Sequence, residues 1–166
     1  MSLLISWRTR YPHLNIYHPI HFLSLGFGLG LIKKAPGTFG TLAAFPFYYL
    51  LQSVSIITYV MTVITFFICG VVFCQKTSDV LKEHDASVIV WDEIVGMLIT
   101  MIALPKGVIW IVSAFVLFRF FDIVKPFPIS YFDKHMTGGL GIMFDDVIAG
   151  IFALALIQFS AYFFLL

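Results

Sequence analysis

Charged residues are scarce in this chain: Asp, Glu, Lys and Arg make up only 11% of its 166 residues, whereas soluble domains contain roughly 25%. Hydrophobic residues account for 60% of the sequence, and the mean hydropathy is +0.99. This composition excludes an ordinary water-soluble globule and a disordered chain, and it predicts a polytopic membrane protein. The length suits one membrane-embedded domain over residues 1–166, with residues 1–19 as a peripheral N-terminal segment.

Cysteine and clustered positive charge are also rare. The chain has two cysteines, Cys69 and Cys74, and their spacing fits neither a zinc pair nor a disulfide framework. The formal net charge is +1, and no basic patch with interleaved aromatic residues occurs. The membrane is therefore an expected partner and nucleic acid is not.

The apolar runs predict an all-α membrane bundle with about four to five spans. A run at 20–32 is too short to cross ~30 Å of hydrocarbon, so it predicts an N-terminal interfacial or re-entrant helix. The Gly-rich stretches 35–41 and 137–141 predict loops that lead into helices. The polar stretch 75–87 predicts that the preceding helix continues into water, and a short helix is expected near 130–135. The expected spans are 39–51 (short and tilted), 56–74, 88–104, 108–121 and a last one from Phe144.

The distribution of charge orients these spans. With residues 1–38 on one side of the membrane, all nine acidic residues fall on that side, and so do nine of the ten Lys and Arg. Only Lys106 lies opposite. The positive-inside rule then places the charged side in the cytoplasm.

Adjacent carboxylates stand at the start of two expected spans, as Asp92-Glu93 and Asp145-Asp146. The same orientation brings Asp122 to their depth. Unpaired carboxylates at a membrane boundary are costly and usually functional, so these five are the candidate catalytic residues. Oxygen ligands without soft donors favour Mg²⁺ over zinc, and the predicted metal ligands are Asp92, Glu93, Asp145 and Asp146.

Glycine follows each acid pair by one helical turn. Gly96 comes four residues after Asp92, and Gly150 four residues after Asp146. Small residues let the backbones of membrane helices approach closely. We therefore expect the two helices to meet at these glycines and to bring the two acid pairs together.

Positive groups near Asp122 predict a phosphate site. Arg119 precedes Asp122 by three residues and Lys125 follows it by three; a metal, an arginine and a lysine together neutralise a phosphoryl group. Backbone N–H groups of Gly-rich segments at helix N-termini also favour anions. The further candidates for phosphate binding are Gly37, Thr38 and Gly139, although Thr38 is expected more as a helix N-cap than as a ligand, and Thr41 is the other candidate for that cap.

Simpler interpretations of these residues stay open. The acid pairs are also suited to complement helix dipoles, and Arg119 with Asp122 is also suited to a structural ion pair. His84 and Asp85 are predicted either as a solvated surface pair or as groups that support the metal ligands.

Four stretches of the sequence resemble the phosphatidylglycerophosphatase A family of bacterial membrane lipid phosphatases. They occur in the family's order and cover most of residues 20–158. The resemblance maps the family's motif acids onto the five carboxylates above, with Asp85 before them, and Arg119, Lys125, Pro36, Gly37 and Thr38 match their blocks. The stretches are LGFGLGLIKKAPGTFGTLAAFPFYYL (25–50), HDASVIVWDEIVGM (84–97), FRFFDIVKPFPISYFD (118–133) and GGLGIMFDDVIAG (138–150).

The resemblance implies a Mg²⁺-dependent hydrolase of the bacterial inner membrane, with its site facing the cytoplasm. Its implied reaction removes the terminal phosphate of the anionic phospholipid phosphatidylglycerophosphate, giving phosphatidylglycerol for phospholipid biosynthesis. From the residues, Arg119 and Lys125 are expected to clamp the phosphate, and Asp122 to orient Arg119 or serve as base. Direct attack by water and a phospho-aspartyl intermediate are both open.

Two alternatives belong to other classes. One alternative is another membrane phosphotransferase, such as a CDP-alcohol phosphotransferase. These enzymes also have carboxylates at the cytoplasmic face of the membrane. The acids of their motif are spaced apart, however, whereas this chain has adjacent pairs. A small Mg²⁺ transporter or channel would use the acids as a pathway, although no acid is expected near the middle of the membrane.

Overall fold

The computed structural model describes residues 7–83 and 86–164, and the described part is helical. Eight α-helices and one 3₁₀ turn (Leu29–Leu31) occur in this part of the chain. The helices are α1 (Trp7–Arg10), α2 (Pro19–Ser24), α3 (Pro36–Leu51), α4 (Ile56–Leu81), α5 (Trp91–Thr100), α6 (Val108–Val124), α7 (Ile129–His135) and α8 (Gly138–Phe164).

Helix α5 forms the centre of the bundle. Nine of its ten residues are buried, and it contacts α3, α4, α6 and α8. Tyr59 of α4 donates a hydrogen bond to the Leu98 carbonyl, and the Trp91 indole donates to the Phe66 carbonyl, so α4 and α5 run antiparallel. The expected span at 88–104 was therefore wrong in length: a helix of ten residues is about 15 Å long, half the thickness of the hydrocarbon core.

Helices α4 and α8 are long and apolar enough to cross a membrane by length and composition. Helix α4 continues to Leu81, as the polar stretch after residue 74 predicted. Its start is capped by Ser55, whose hydroxyl accepts a hydrogen bond from the Thr58 amide. Both helices also contribute to the core, since α8 contacts α4, α5, α6 and α7.

The outer faces of α4 and α6 are apolar. On α4 the exposed side chains recur every three or four residues, as do those on α6. Stripes of this length exceed the scattered apolar exposure of soluble proteins. The stripes are Ile57, Met61, Ile64 and Ile68 on α4, and Ile109, Val112, Val116 and Phe120 on α6.

The N-terminal apolar run is broken rather than forming the one helix that was expected over 20–32. Helix α2 ends at Ser24, and the next residues turn back before the 3₁₀ turn. Gly26, Phe27 and Gly28 have φ values of 54°, 61° and 91°, which a continuing right-handed helix does not allow. Gly30 lies against the Val88 carbonyl, with no room for a Cβ atom.

The two Gly-rich stretches are helical rather than loops. Helix α3 begins at Pro36, directly after Ala35, whose left-handed backbone (φ 51°) turns the chain into the helix. Proline suits the first helical position because its missing N–H has no partner there. Thr41 donates its hydroxyl to the Gly37 carbonyl, and no side-chain cap is formed at the start of α3, so the expected threonine cap was wrong. Helix α8 begins at Gly138, six residues before the expected start.

Candidate active site

One cavity collects the charged side chains that the sequence singled out. It has a volume of about 230 Å³ and lies where α3, α5 and α8 present their N-terminal portions and α6 its C-terminal end. All five candidate carboxylates line it, together with both candidate cations. The lining residues are Ala35, Pro36, Gly37, Ser87, Ile89, Asp92, Glu93, Arg119, Asp122, Lys125, Asp145 and Asp146.

Close contact between α5 and α8 brings the acid pairs together. A Cβ atom on Gly96 would lie 2.8 Å from the Asp146 carbonyl oxygen, and one on Gly150 would lie 2.5 Å from the Gly96 carbonyl oxygen. The buried ring of Phe118 from α6 covers Gly96 from the other side, at 2.5 Å from such a Cβ atom. The predicted role of these two glycines in helix approach is confirmed.

Three carboxylates form a compact cluster within the cavity. Asp92, Glu93 and Asp146 each offer one oxygen, and these oxygens lie within 4.8 Å of one another. Asp92 and Asp146 are buried, with 7% and 3% of their surface exposed. Carboxylates this close repel one another unless a proton or cation lies between them, so the cluster has the donor set of a hard divalent cation.

Arg119 joins three elements at the edge of this cluster. Its Nη1 atom is ion-paired with Asp122 one turn along α6 and lies 3.8 Å from Glu93 Oε1 of α5. The same nitrogen lies 3.4 Å from the hydroxyl of Thr41 on α3, to which it donates. The Arg119 side chain is 15% exposed, and it has partners on its own helix and on the two neighbouring helices α3 and α5.

Lys125 also lines the cavity and directly follows the last residue of α6. Its ammonium donates to Asp145 Oδ2 at 2.6 Å and to Asp133 Oδ1 at 2.5 Å. Burial lowers the pKa of Lys125, but the adjacent Asp145 and Asp133 carboxylates outweigh this effect and raise its pKa above the ordinary value. Lys125 is therefore a fixed positive charge, and Asp145 is held by it rather than grouped with the three clustered acids.

Gly37 belongs to this cavity for a steric reason. A Cβ atom there would lie 2.2 Å from Glu93 Oε1 and 3.0 Å from Arg119 Nη1. Glycine thus lets the first turn of α3 approach the Glu93–Arg119 pair. Thr38 and Gly139, the other backbone candidates for phosphate binding, are not among the described residues that line the cavity. The Gly139 amide donates instead to Gln75 Oε1 at 2.6 Å, which fixes the start of α8 on α4.

Two other predicted positions and one unpredicted residue complete the comparison with the sequence. His84 and Asp85 lie outside the described residues. Asp133 was not singled out, because it lies eight residues from Lys125 in the sequence and no helical spacing connects them. The one sequence feature that pointed to Asp133 was its position at the end of the family-like stretch 118–133.

Comparison with known proteins identifies relatives of this chain. A family model described as phosphatidylglycerophosphatase A matches residues 22–161. A Haemophilus influenzae protein named phosphatidylglycerophosphatase A is 45% identical over 146 residues, covering 87% of this chain and 90% of that protein. The Escherichia coli protein of the same name is 42% identical over 147 residues, covering 88% and 86%.

A third relative has a different name. A Bacteroides thetaiotaomicron protein provisionally named as a phosphatidylinositol-3-phosphatase is 37% identical over 143 residues, covering 81% of this chain and 89% of that protein. No solved structure matches the chain.

Proposed function

The chain belongs to the phosphatidylglycerophosphatase A family, and on this premise we propose that it hydrolyses the terminal phosphate monoester of phosphatidylglycerophosphate. The products are phosphatidylglycerol and inorganic phosphate, and the reaction belongs to phospholipid biosynthesis. The observation that supports this most directly is the single cavity that holds five carboxylates beside Arg119 and Lys125.

Buried polar atoms without hydrogen-bond partners support a ligand that carries both positive and negative charge. Glu93 Oε2 and Arg119 Nε are both buried and have no hydrogen-bond partner among the described residues. A buried hydrogen-bond donor or acceptor that lacks a partner lowers the stability of the folded protein. A cation beside Glu93 and a phosphoryl oxygen beside Arg119 would satisfy both, and a phosphate ester with a divalent cation supplies both.

Magnesium fits the residues that are present. Asp92, Glu93 and Asp146 would hold it, because their oxygens already converge and are the hard donors that Mg²⁺ prefers. Asp145 was also predicted as a ligand and lies next to this cluster, but its Oδ2 atom is bonded to Lys125. When bound, Mg²⁺ supplies Lewis-acid neutralisation of the phosphoryl charge.

The protein's own side chains bind and orient the phosphate. Arg119 and Lys125 supply positive charge from two sides of the cavity, which favours a dianionic monoester and stabilises charge on its oxygens during transfer. Asp122 orients Arg119 through their ion pair. The ester P–O bond breaks, and a new P–O bond forms either to water, which gives inorganic phosphate directly, or to a carboxylate, whose acyl phosphate is then hydrolysed by water. The leaving glycerol oxygen takes up a proton and departs as an alcohol, and the attacking water gives up one proton in return.

A multi-pass arrangement in the bacterial inner membrane is part of the proposal. Helices α3, α4, α6 and α8 would cross with their apolar faces toward lipid, and α5 would be enclosed among them. The cavity would face the cytoplasm, since nine of the ten Lys and Arg fall on that side in the predicted threading. This arrangement leaves the acyl chains of the substrate in the bilayer while its phosphate reaches the cavity.

Two assays on one preparation separate this function from cation transport. Purified protein in proteoliposomes is tested for phosphate release from phosphatidylglycerophosphate and, in parallel, for Mg²⁺ flux. We expect release without flux. Mg²⁺ flux without phosphate release would contradict the proposal and favour the transporter alternative. Phosphatidylinositol 3-phosphate in the same release assay tests whether the head group is selected.

A further inference from the structure

The short helix α7 lies against α8 beside the cavity. Ile129 at its start is fully buried, and the ring of Phe132 lies 5.1 Å from that of Phe144, centre to centre. Phe144 directly precedes Asp145 in α8, and Asp133 directly follows Phe132 in α7. These contacts fix Asp133 next to Asp145, although Asp133 does not itself line the cavity among the described residues.

Lys125 has an unusual backbone conformation for its residue type. It ends α6 with a φ of 45°, in the left-handed region that glycine adopts without strain. Such strain persists where the surrounding structure holds it in place, and it is frequent at functional sites. The conformation follows the last turn of α6, where the Lys125 amide donates to the Phe121 carbonyl at 2.9 Å, and the Lys125 side chain lines the cavity.

The ammonium of Lys125 is held between a carboxylate inside the cavity and one outside it. Its Nζ atom lies 2.6 Å from Asp145, which lines the cavity, and 2.5 Å from Asp133, which does not. An ammonium group has three N–H donors, and these two bonds use two of them. In the described part of the chain, the third remains available for a ligand oxygen in the cavity.

We propose that Asp133 is a positioning residue: it holds the Lys125 ammonium at the cavity wall so that its third N–H meets the phosphate monoester. The proposal rests on the function proposed above, and it assigns a role to α7 that neither the family model nor the relatives' names assign. Lysine is a flexible side chain that loses much rotamer freedom when it is fixed. Without Asp133, the ammonium would be drawn onto Asp145 and would be lost to the phosphate for part of the time.

The test compares Asp133→Ala and Asp133→Glu with the native protein and with Lys134→Gln, an exposed charge change on the same helix. Two readouts are used: steady-state hydrolysis of phosphatidylglycerophosphate, and binding of inorganic phosphate by the detergent-purified protein. For Asp133→Ala we expect KM and the Kd for phosphate to rise together by about tenfold, with a smaller change in kcat. Asp133→Glu should bring KM and the phosphate Kd part of the way back to their native values, and Lys134→Gln should leave both constants unchanged.

Several results would overturn the inference. Unchanged KM and phosphate Kd in Asp133→Ala would do so, and so would an equal loss in Lys134→Gln, which would show a general effect of α7. A lowered unfolding temperature without a change in phosphate affinity would assign Asp133 a purely structural role. If the native protein binds phosphate but releases none from the lipid, the proposed function fails while the binding readout still decides the role of Asp133. A native protein that neither binds nor releases phosphate would contradict both.

Discussion

Neighbouring carboxylates in the cavity have different partners, and this difference separates their roles. Asp145 accepts a hydrogen bond from Lys125, whereas Asp146, the next residue, converges with Asp92 and Glu93. Consecutive residues of a helix point about 100° apart, so an adjacent pair serves two sides of one cavity. This geometry would let Asp145-Asp146 contribute both to the proposed phosphate binding and to the proposed cation binding.

Removing the charge of a clustered acid should abolish activity. For Asp92→Asn and Asp146→Asn we expect phosphate release to fall more than about 100-fold, because substitutions merely next to metal ligands already cost roughly 10- to 100-fold. Both variants should still be folded and membrane-inserted, since Asn has nearly the same shape. Phosphate release per mole of purified protein is the measurement, with size-exclusion profiles to confirm folding.

Asp79→Asn is the matched control for these variants. Asp79 is exposed near the C-terminal end of α4 and accepts a hydrogen bond from Gln75 at 2.8 Å, so its substitution should leave activity unchanged. Near-native activity in either Asp92→Asn or Asp146→Asn would rule out the cation cluster as the reactive centre.

The convergence of the five acids could be predicted from the sequence, because charges within apolar runs leave few allowed depths. Which partner each of these acids has could not be predicted from the sequence. The bond between Lys125 and Asp133 depends on where α7 packs against α8, through Ile129 and Phe132, and no sequence spacing encodes that contact. The catalytic and metal-binding roles of the individual acids stay predictions.

Helix α5 shows why a buried helix in a membrane protein can be short. Nine of its ten residues are buried within the bundle, so it need not match the thickness of the bilayer. Hydropathy detects apolar character but not whether protein or lipid covers it. The run 88–104 therefore suggested a full span, although residues 86–90 pack without helical structure before Trp91.

The contact between α5 and α8 should be intolerant of any added side chain. In Gly96→Ala the new methyl group would meet the Phe118 ring and the Asp146 backbone, and backbone atoms cannot move aside cheaply. We expect a loss of about 1–3 kcal/mol in stability and a larger fractional loss of activity, because the two acid pairs would separate. Thermal unfolding in detergent and phosphate release measure the two effects.

Leu156→Ala on α8 controls for general sensitivity of that helix. Its side chain is 43% exposed, and its substitution should change stability by less than about 0.5 kcal/mol. Native stability and activity in Gly96→Ala would contradict the close approach of the two helices.

The helical starts of α3 and α8 could not be predicted from glycine content alone. Glycine in the first turn of a helix and glycine in a loop have the same sequence signature. The difference arises from tertiary contact: a Cβ atom on Gly139 would lie 2.0 Å from the Val71 carbonyl, and one on Gly37 would meet Glu93. These glycines are required for close packing rather than for chain flexibility.

The distribution of charge in the whole molecule predicts its orientation in the membrane. The described cations and acids gather at the cavity end of the bundle, while Lys106 lies in the turn between α5 and α6 at the other end. At the far end, the uncharged Gln158 donates to the carbonyls of Ile102 and Ala103, and a cavity of about 190 Å³ there is lined by uncharged residues. In the proposed orientation, the carboxylate cavity would open toward the cytoplasm.

Topology reporters test this orientation. A reporter fused after Lys82 should be cytoplasmic, and one fused after Lys106 should lie on the opposite side, because α5 and its flanks connect the two ends. An enzymatic reporter active only in the cytoplasm, paired with one active only outside it, gives a positive signal for each location. The same location for both fusions would refute the threading.

We propose that the carboxylate cavity is the reactive centre of a Mg²⁺-dependent lipid phosphatase. The most direct measurement is phosphate release from phosphatidylglycerophosphate by the purified protein, after chelation and again after Mg²⁺ is restored. We predict that release stops on chelation and returns with Mg²⁺ in the native protein, while Asp92→Asn stays inactive in both conditions. Release that continues at the same rate without divalent cations would contradict the account.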